Sequence, residues 1–264
     1  MLDKYLNNRF LILYFVPFTL GSLTVFSFEP FNFTIINFLL LPILFYLIVI
    51  IKKKSKSTYR KKPYKKNLFI FGTTFGFSFY LSGLFWITHS LTFDENFKIL
   101  IPIALIFIPL FLSLFFSIVI LLLGPYLSLN LSSILIFSGA LAISDFIRAK
   151  VLTGFPWNLW SYSFSWATEL IQILNVTGLF AFNLIIITLF TLPSFLFFNY
   201  SKKKKLSLLA FIIITFFSLY IYGNYSLNQN DIFLKSQKEK FNIKVVSPNF
   251  DLKYGLSINE IESR

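Results

Sequence analysis

Apolar residues occupy this chain in long unbroken runs, and the charged residues collect between them. The runs lie at about 10–27, 33–51, 67–90, 99–123, 131–147, 177–198 and 206–223. A helix rising 1.5 Å per residue needs roughly 20 apolar residues to cross a bilayer. The pattern predicts seven transmembrane helices in an all-α polytopic bundle. The first run is not a cleaved signal, because no small-residue cleavage site follows it and a second apolar run comes almost at once. Residues 168–176 (TELIQILNV) are apolar but short, and read as an interfacial helix leading into the sixth span.

The pattern changes after 223. Residues 224–240 are polar and read as a linker. In FNIKVVS (241–247), Phe241, Ile243 and Val245 alternate with Asn242 and Lys244, the period of a strand. Ser257 and Glu260 are spaced as a capping box, which predicts a helix starting there, about one turn before Arg264. One strand and one helical turn do not make a stable domain. The expected organisation is a membrane domain over 1–223, a linker over 224–240 and an incomplete further domain over 241–264.

Composition agrees with the spans. The chain is 56% hydrophobic and 13% charged, with 37 Phe, against roughly 45–50% and 25% for a soluble domain. A large soluble core is excluded. Charge then orients the spans. The net charge is +13, and KKKSKSTYRKKPYKK (52–66) alone holds nine Lys or Arg. KKKK (202–205), Lys4 and Arg9 fall on the same side of a seven-span chain. Short basic loops stay cytoplasmic, so the N-terminus is expected inside and the 28–32, 91–98 and 148–176 segments outside. The basic loops serve orientation and contact with anionic lipid, and no nucleic-acid partner is expected.

One outer segment stands apart. TGFPWNLWSYSFSW (153–166) holds three of the four tryptophans, and Trp86 ends the third span on the same side. An aromatic belt places Trp at both interfaces. Four on one side, with Gly154 and Pro156 to shape a turn, point to a built loop. Asp145 and Arg148 are three apart, so they share a helix face near the outer end of the fifth span. Two roles stand open for them: an ion pair that fixes the loop, or an Arg fork for a lipid phosphate. Gly72, Gly76 and Gly83 permit close helix packing, and Asn183 suits a hydrogen bond between helices. His89, the one His, is read as incidental, in a loop.

These residues resemble a known family. Asp145-Phe-Ile-Arg148, then Thr153-Gly154-Phe155-Pro156-Trp157, then Tyr162-Ser163 resembles the signature of bacterial apolipoprotein N-acyltransferase. That family reads Glu-x-x-Arg, Thr-Gly-Phe-Pro-Trp and Tyr-Ser at the same spacing; the one departure is Asp145 for Glu. Gly21 to Phe31, Gly83-Leu-Phe-Trp86, and Gly178 with Asn183 match further family features in the same order.

The resemblance implies a periplasmic nitrilase-like domain after the membrane helices, followed by a last transmembrane helix. Val245-Val-Ser-Pro-Asn249 and Lys253-Tyr254 resemble the opening of that domain, with a shorter gap and with Tyr254 where the family has a Trp near the substrate entrance. It also implies a Glu, Lys and Cys triad, a phospholipid acyl donor, a Cys thioester, and transfer to the α-amino group of a diacylated apolipoprotein. No metal or cofactor is implied. This chain contains no Cys, and no Glu or Lys in 241–264 matches a triad motif. The triad is therefore expected beyond Arg264, and no catalytic residue is expected within 1–264. The expected reading is the membrane part of such an enzyme, a monomer in the bacterial inner membrane among its lipids, inactive without its catalytic domain. The alternative is a non-enzymatic polytopic protein, a transporter subunit or scaffold. Internal repeats and midplane charges would mark a transporter, and neither is visible.

Overall fold

The computed structural model describes residues 8–54, 63–151, 154, 156–236 and 244–246. Six helices are long and apolar enough to span a membrane: α2 (Thr34–Lys53), α3 (Tyr64–Thr92), α4 (Glu95–Leu123), α5 (Leu131–Arg148), α6 (Leu179–Phe197) and α7 (Lys202–Ser236). A shorter apolar helix, α1 (Leu11–Ser27), precedes them. The seven segments coincide with the seven apolar runs. The chain is a polytopic helical membrane protein.

Inside a bilayer, burial against lipid gains nothing, so close approach and polar contacts hold helices together. The contact between α3 and α4 shows this. A Cβ on Gly72 would lie 2.9 Å from the Cα of Ser117, and one on Gly76 2.9 Å from the Cα of Ser113. The backbones meet where side chains are smallest, and Thr73 Oγ1 and Ser117 Oγ share a hydrogen bond of 2.9 Å there. Phenylalanine fills the rest. Phe45 of α2 meets Phe137 of α5 edge-on at 5.6 Å, and Phe38 meets Phe190 of α6 at 4.9 Å. Helices α2, α3, α5 and α6 carry the fully buried rings, whereas α7 buries only Ile212, Leu219 and Gly223.

Side-chain contacts sort the loops into two ends. At one, Arg9 donates to Asn67 (3.2 Å), Lys52 Nζ to the Leu127 carbonyl (2.9 Å), and the Leu131 amide to Tyr200 (3.2 Å). At the other, Trp166 Nε1 donates to Thr34 (2.8 Å) and Tyr222 to Asn175 (2.8 Å). The basic clusters that flank described helices, Lys52 and Lys53 and Lys202 to Lys205, belong to the first end; the tryptophans belong to the second.

Three expectations change. The polar stretch after 223 continues α7 as helix through Ser236. Residues 224–236 contain no Gly or Pro, so nothing in the backbone stops a helix once started. His89 lies in the last helical turns of α3, not in a loop, packed against Phe93 at 5.6 Å. Residues 168–176 form two short turns, Thr168–Ile171 and Leu174–Thr177. Of the expected strand over 241–247, only residues 244–246 are described, and they carry no strand. The expected helix between Ser257 and Arg264 lies outside the described residues, as do Thr153, Phe155 and Tyr254. The expected position of the triad, beyond Arg264, lies outside them as well.

Candidate functional site

The tryptophan end is organised from the last turn of α5. Arg148 Nη2 meets Asp145 Oδ1 at 3.0 Å, with the arginine side chain 1% exposed. The guanidinium also donates from Nη1 to the Trp157 carbonyl at 2.7 Å and lies 5.4 Å from the centre of the Tyr80 ring on α3. Asp145 Oδ2 accepts from Asn183 Nδ2 of α6 at 2.9 Å. Asn183 Oδ1 in turn accepts the Ser161 amide at 3.0 Å. One buried chain of charged and amide groups thus joins α5, α6 and two points of the loop. Low dielectric strengthens each link, and a broken link leaves a buried polar group unsatisfied.

The loop follows from its residues. The helix ends past Arg148, and the Gly154 amide donates to the Val151 carbonyl at 3.0 Å. Gly154 has φ +77, where L side chains are strained, and a Cβ there would press on the Ala149 carbonyl. Glycine is therefore the residue that fits. Pro156 follows, and Asn158 turns the chain with φ +55. Asn is among the few residues that tolerate that region. Its side chain lies against Gly83, where any Cβ would collide with it. A short 3-10 helix, Trp160–Phe164, then turns inward. Trp160 is buried and stacks on Phe79 at 5.6 Å with the rings 6° apart, so it belongs to the core and not to an interfacial belt. The Ser163 carbonyl accepts from Trp166 Nε1 at 3.1 Å.

Of the residues expected to form a site, Trp86, Trp157 and Tyr162 come together around a small opening at this end, and Gly154 and Pro156 shape the turn that leads to it. Trp86 and Trp157 meet edge-to-face at 5.3 Å. With Tyr162 they line a cavity of about 210 Å³ that also takes in Glu29, Asn158 and Ser165. Asp145 and Arg148 sit behind it and do not line it. Their geometry is that of the loop-fixing ion pair; the guanidinium fork is spent on Asp145 and the Trp157 carbonyl. Tyr162 is half-buried. Burial pushes its phenol above the usual tyrosine value, and the Arg148 charge nearby partly offsets this. Sequence reasoning missed Glu29, Asn158 and Ser165 as members of this constellation. Asn158 and Ser165 lie within the aromatic stretch itself; Glu29 is 136 residues from its partner Ser165, a distance no local pattern bridges.

The same segments carry the chain's similarity to known proteins. Residues 20–192 match the family model described as the apolipoprotein N-acyltransferase N-terminal domain. The chain belongs to the apolipoprotein N-acyltransferase family. Apolipoprotein N-acyltransferase of Rhodopseudomonas palustris is 32% identical over 181 residues, 67% of this chain and 32% of that protein. The Rickettsia typhi enzyme of the same name is 32% identical over 220 residues, 81% of this chain and 41% of that protein. The one from Brucella suis is 28% identical over 198 residues, 74% and 36% respectively. The chain therefore spans about a third to two fifths of the length of these curated relatives. The matched span includes α2 to α5, the 149–178 segment and most of α6, and with them every link of the Arg148 network.

Proposed function

We propose that residues 1–264 form the membrane part of an apolipoprotein N-acyltransferase of the bacterial inner membrane, with the N-terminus cytoplasmic and the tryptophan end periplasmic. The reaction moves an acyl chain from a phospholipid to the α-amino group of a diacylglyceryl-cysteine. In that reaction a Cys thiolate attacks the ester carbonyl, and the glycerol oxygen takes a proton and leaves as lysophospholipid. The lipoprotein amine then displaces the thiolate, losing a proton as the amide forms. Residues 1–264 contain no Cys, so the thiol chemistry belongs to a nitrilase-like part that this membrane part supports. Oriented donors there steady the oxyanion.

The observation that carries this reading is the locked loop. A buried ion pair costs desolvation and stabilises only when its geometry is complete. Here Arg148 and Asp145 tie two helix ends to a turn of aromatic residues at the membrane boundary, within the span that the family model matches. A scaffold with no partner at that face has no use for so constrained a surface. The basic loops at the opposite end support the orientation by the positive-inside rule.

Fusion tests it. Residues 1–236, joined to the remaining sequence of the Rhodopseudomonas palustris enzyme, should rescue bacteria depleted of their own N-acyltransferase. The same fusion with Trp157→Phe and Pro156→Ala together should be made at normal level but rescue poorly. Full rescue by that variant would show that the loop shapes nothing the reaction uses. No rescue by a well-expressed, folded parent fusion would count against the assignment of function.

A further inference from the structure

Helix α7 touches the bundle along one narrow stripe. Leu208, Ile212, Phe216, Leu219 and Gly223 pack inward, and steps of three and four residues keep them on a single helix face. Phe216 lies 5.8 Å from Phe38 and 5.5 Å from Phe164. Leu209, Ile213, Phe217 and Tyr220 turn outward. A helix held along so little of its surface is free to tilt and roll unless something fixes it at an end.

At the tryptophan end the stripe closes on backbone. A Cβ on Gly223 would overlap the Glu169 carbonyl oxygen and lie 2.7 Å from the Glu169 Cα. One residue earlier, the Tyr222 hydroxyl donates to Asn175 Oδ1 at 2.8 Å. Both partners belong to the 168–177 segment, which begins directly after Trp166. Glycine inside a helix costs stability relative to alanine, and here its lack of a side chain permits the close approach. Gly223 is also the last buried residue of α7. The helix runs on to Ser236, about 20 Å further, with no Gly or Pro in 224–236. Residues 228–236 are all exposed.

We propose that Gly223 is a positioning residue. Its contact with the Glu169 backbone fixes the tilt and rotation at which α7 leaves the bundle. The exposed helix 224–236 then carries that setting, as a rigid arm, to the part of the chain that follows. Because Glu169 continues the aromatic loop, the arm and the loop are set against each other by one contact. Ordinary contact between heavy atoms is about 3.5 Å, so a single methyl at 223 would push α7 away by about 1 Å. An error of that size in placing reacting groups lowers a transfer rate by about a hundredfold. The proposal rests on the acyltransferase reading for what the arm delivers, and not for the contact itself.

Two measurements test it. Cysteines replacing Ser90 and Asn230, both exposed, carry a nitroxide pair in a chain with no other Cys. In nanodiscs the parent should give one narrow distance by pulsed electron paramagnetic resonance. Gly223→Val should shift or broaden it, while Tyr222→Phe, which adds no bulk, should change it less. If the valine variant folds poorly, Gly223→Ala is read in the same way. An unchanged distribution in the folded Gly223 variant would overturn the proposal. The arm is tested in the rescuing fusion by replacing residues 229–232 at constant length. Four alanines keep the helix and should keep rescue. Gly-Gly-Ser-Gly unwinds it and should lower N-acylated lipoprotein at least about tenfold at equal protein level. Equal outcomes for the two replacements would overturn the rigid arm. The distance measurement needs no activity, so if the parent fusion fails to rescue, the acyltransferase reading falls and the distance alone decides this one.

Discussion

Arg148 is the side chain on which the tryptophan end depends. Its guanidinium holds Asp145 at 3.0 Å and the Trp157 carbonyl at 2.7 Å. Removing one partner of a buried pair strands the other charge, at a cost of about 3–5 kcal/mol. Arg148→Ala should therefore lower the melting temperature in detergent sharply. The double variant Asp145→Ala, Arg148→Ala should be less damaged than Arg148→Ala alone, since no charge is left stranded. Additive losses in that double-mutant cycle would mean that the pair is not coupled. Tyr162 gives a pH test. Its phenol is held above its ordinary value, so its folded pKa exceeds its unfolded one. The stabilising contribution is complete below the unfolded value of about 10 and lost as pH rises through the folded one. The difference in phenolate absorbance between the parent and Tyr162→Phe should show this tyrosine ionising later than a model tyrosine. The spacing of Asp145 and Arg148 placed them on one helix face and left an ion pair and a fork for a lipid phosphate both open; the side-chain geometry shows the pair. Glu29 was not legible, because a carboxylate in a short polar turn looks like any solvated charge until the fold brings Ser165 beside it.

The helices were legible wherever composition set them apart from their surroundings. Long apolar runs give the spans, and Gly72 and Gly76 of α3 mark where α4 approaches, whereas Gly83 packs against the Asn158 side chain of the loop. Gly76→Leu should wedge those two helices apart, because its side chain would be driven into the Ser113 backbone; overpacking of this kind costs about 1–3 kcal/mol or more. Reduced yield and earlier melting in detergent are expected, and a neutral outcome would contradict the close packing. Helix ends were harder to read. Polar residues after 223 resemble a linker, yet α7 runs on to Ser236. Polarity reports where a helix leaves the bilayer, not where its hydrogen bonds stop. The 149–166 loop was readable as a shaped turn from Gly154 and Pro156. It was not readable that Trp160 points into the core and Trp157 does not, since Trp157 precedes the short 3-10 turn that Trp160 opens and no single period relates the two.

As a whole, the protein is a bundle with a basic end and a tryptophan end. The absence of Cys from the sequence makes its orientation measurable with single engineered cysteines. A Cys in place of Ser201 should resist membrane-impermeant maleimide in intact cells, and one in place of Ser226 should react. The reverse pattern would turn the protein over and place the aromatic loop in the cytoplasm. We propose a division of labour, in which these helices and their loop form a platform for thiol chemistry carried elsewhere. The most direct measurement is incubation with phospholipid labelled in its acyl chain, followed by hydroxylamine, which cleaves thioesters. Residues 1–264 alone should retain no hydroxylamine-sensitive label, and the fusion with a Cys-bearing nitrilase-like part should retain it. Label on residues 1–264 alone would contradict the account and place an acyl-accepting group within the membrane bundle itself.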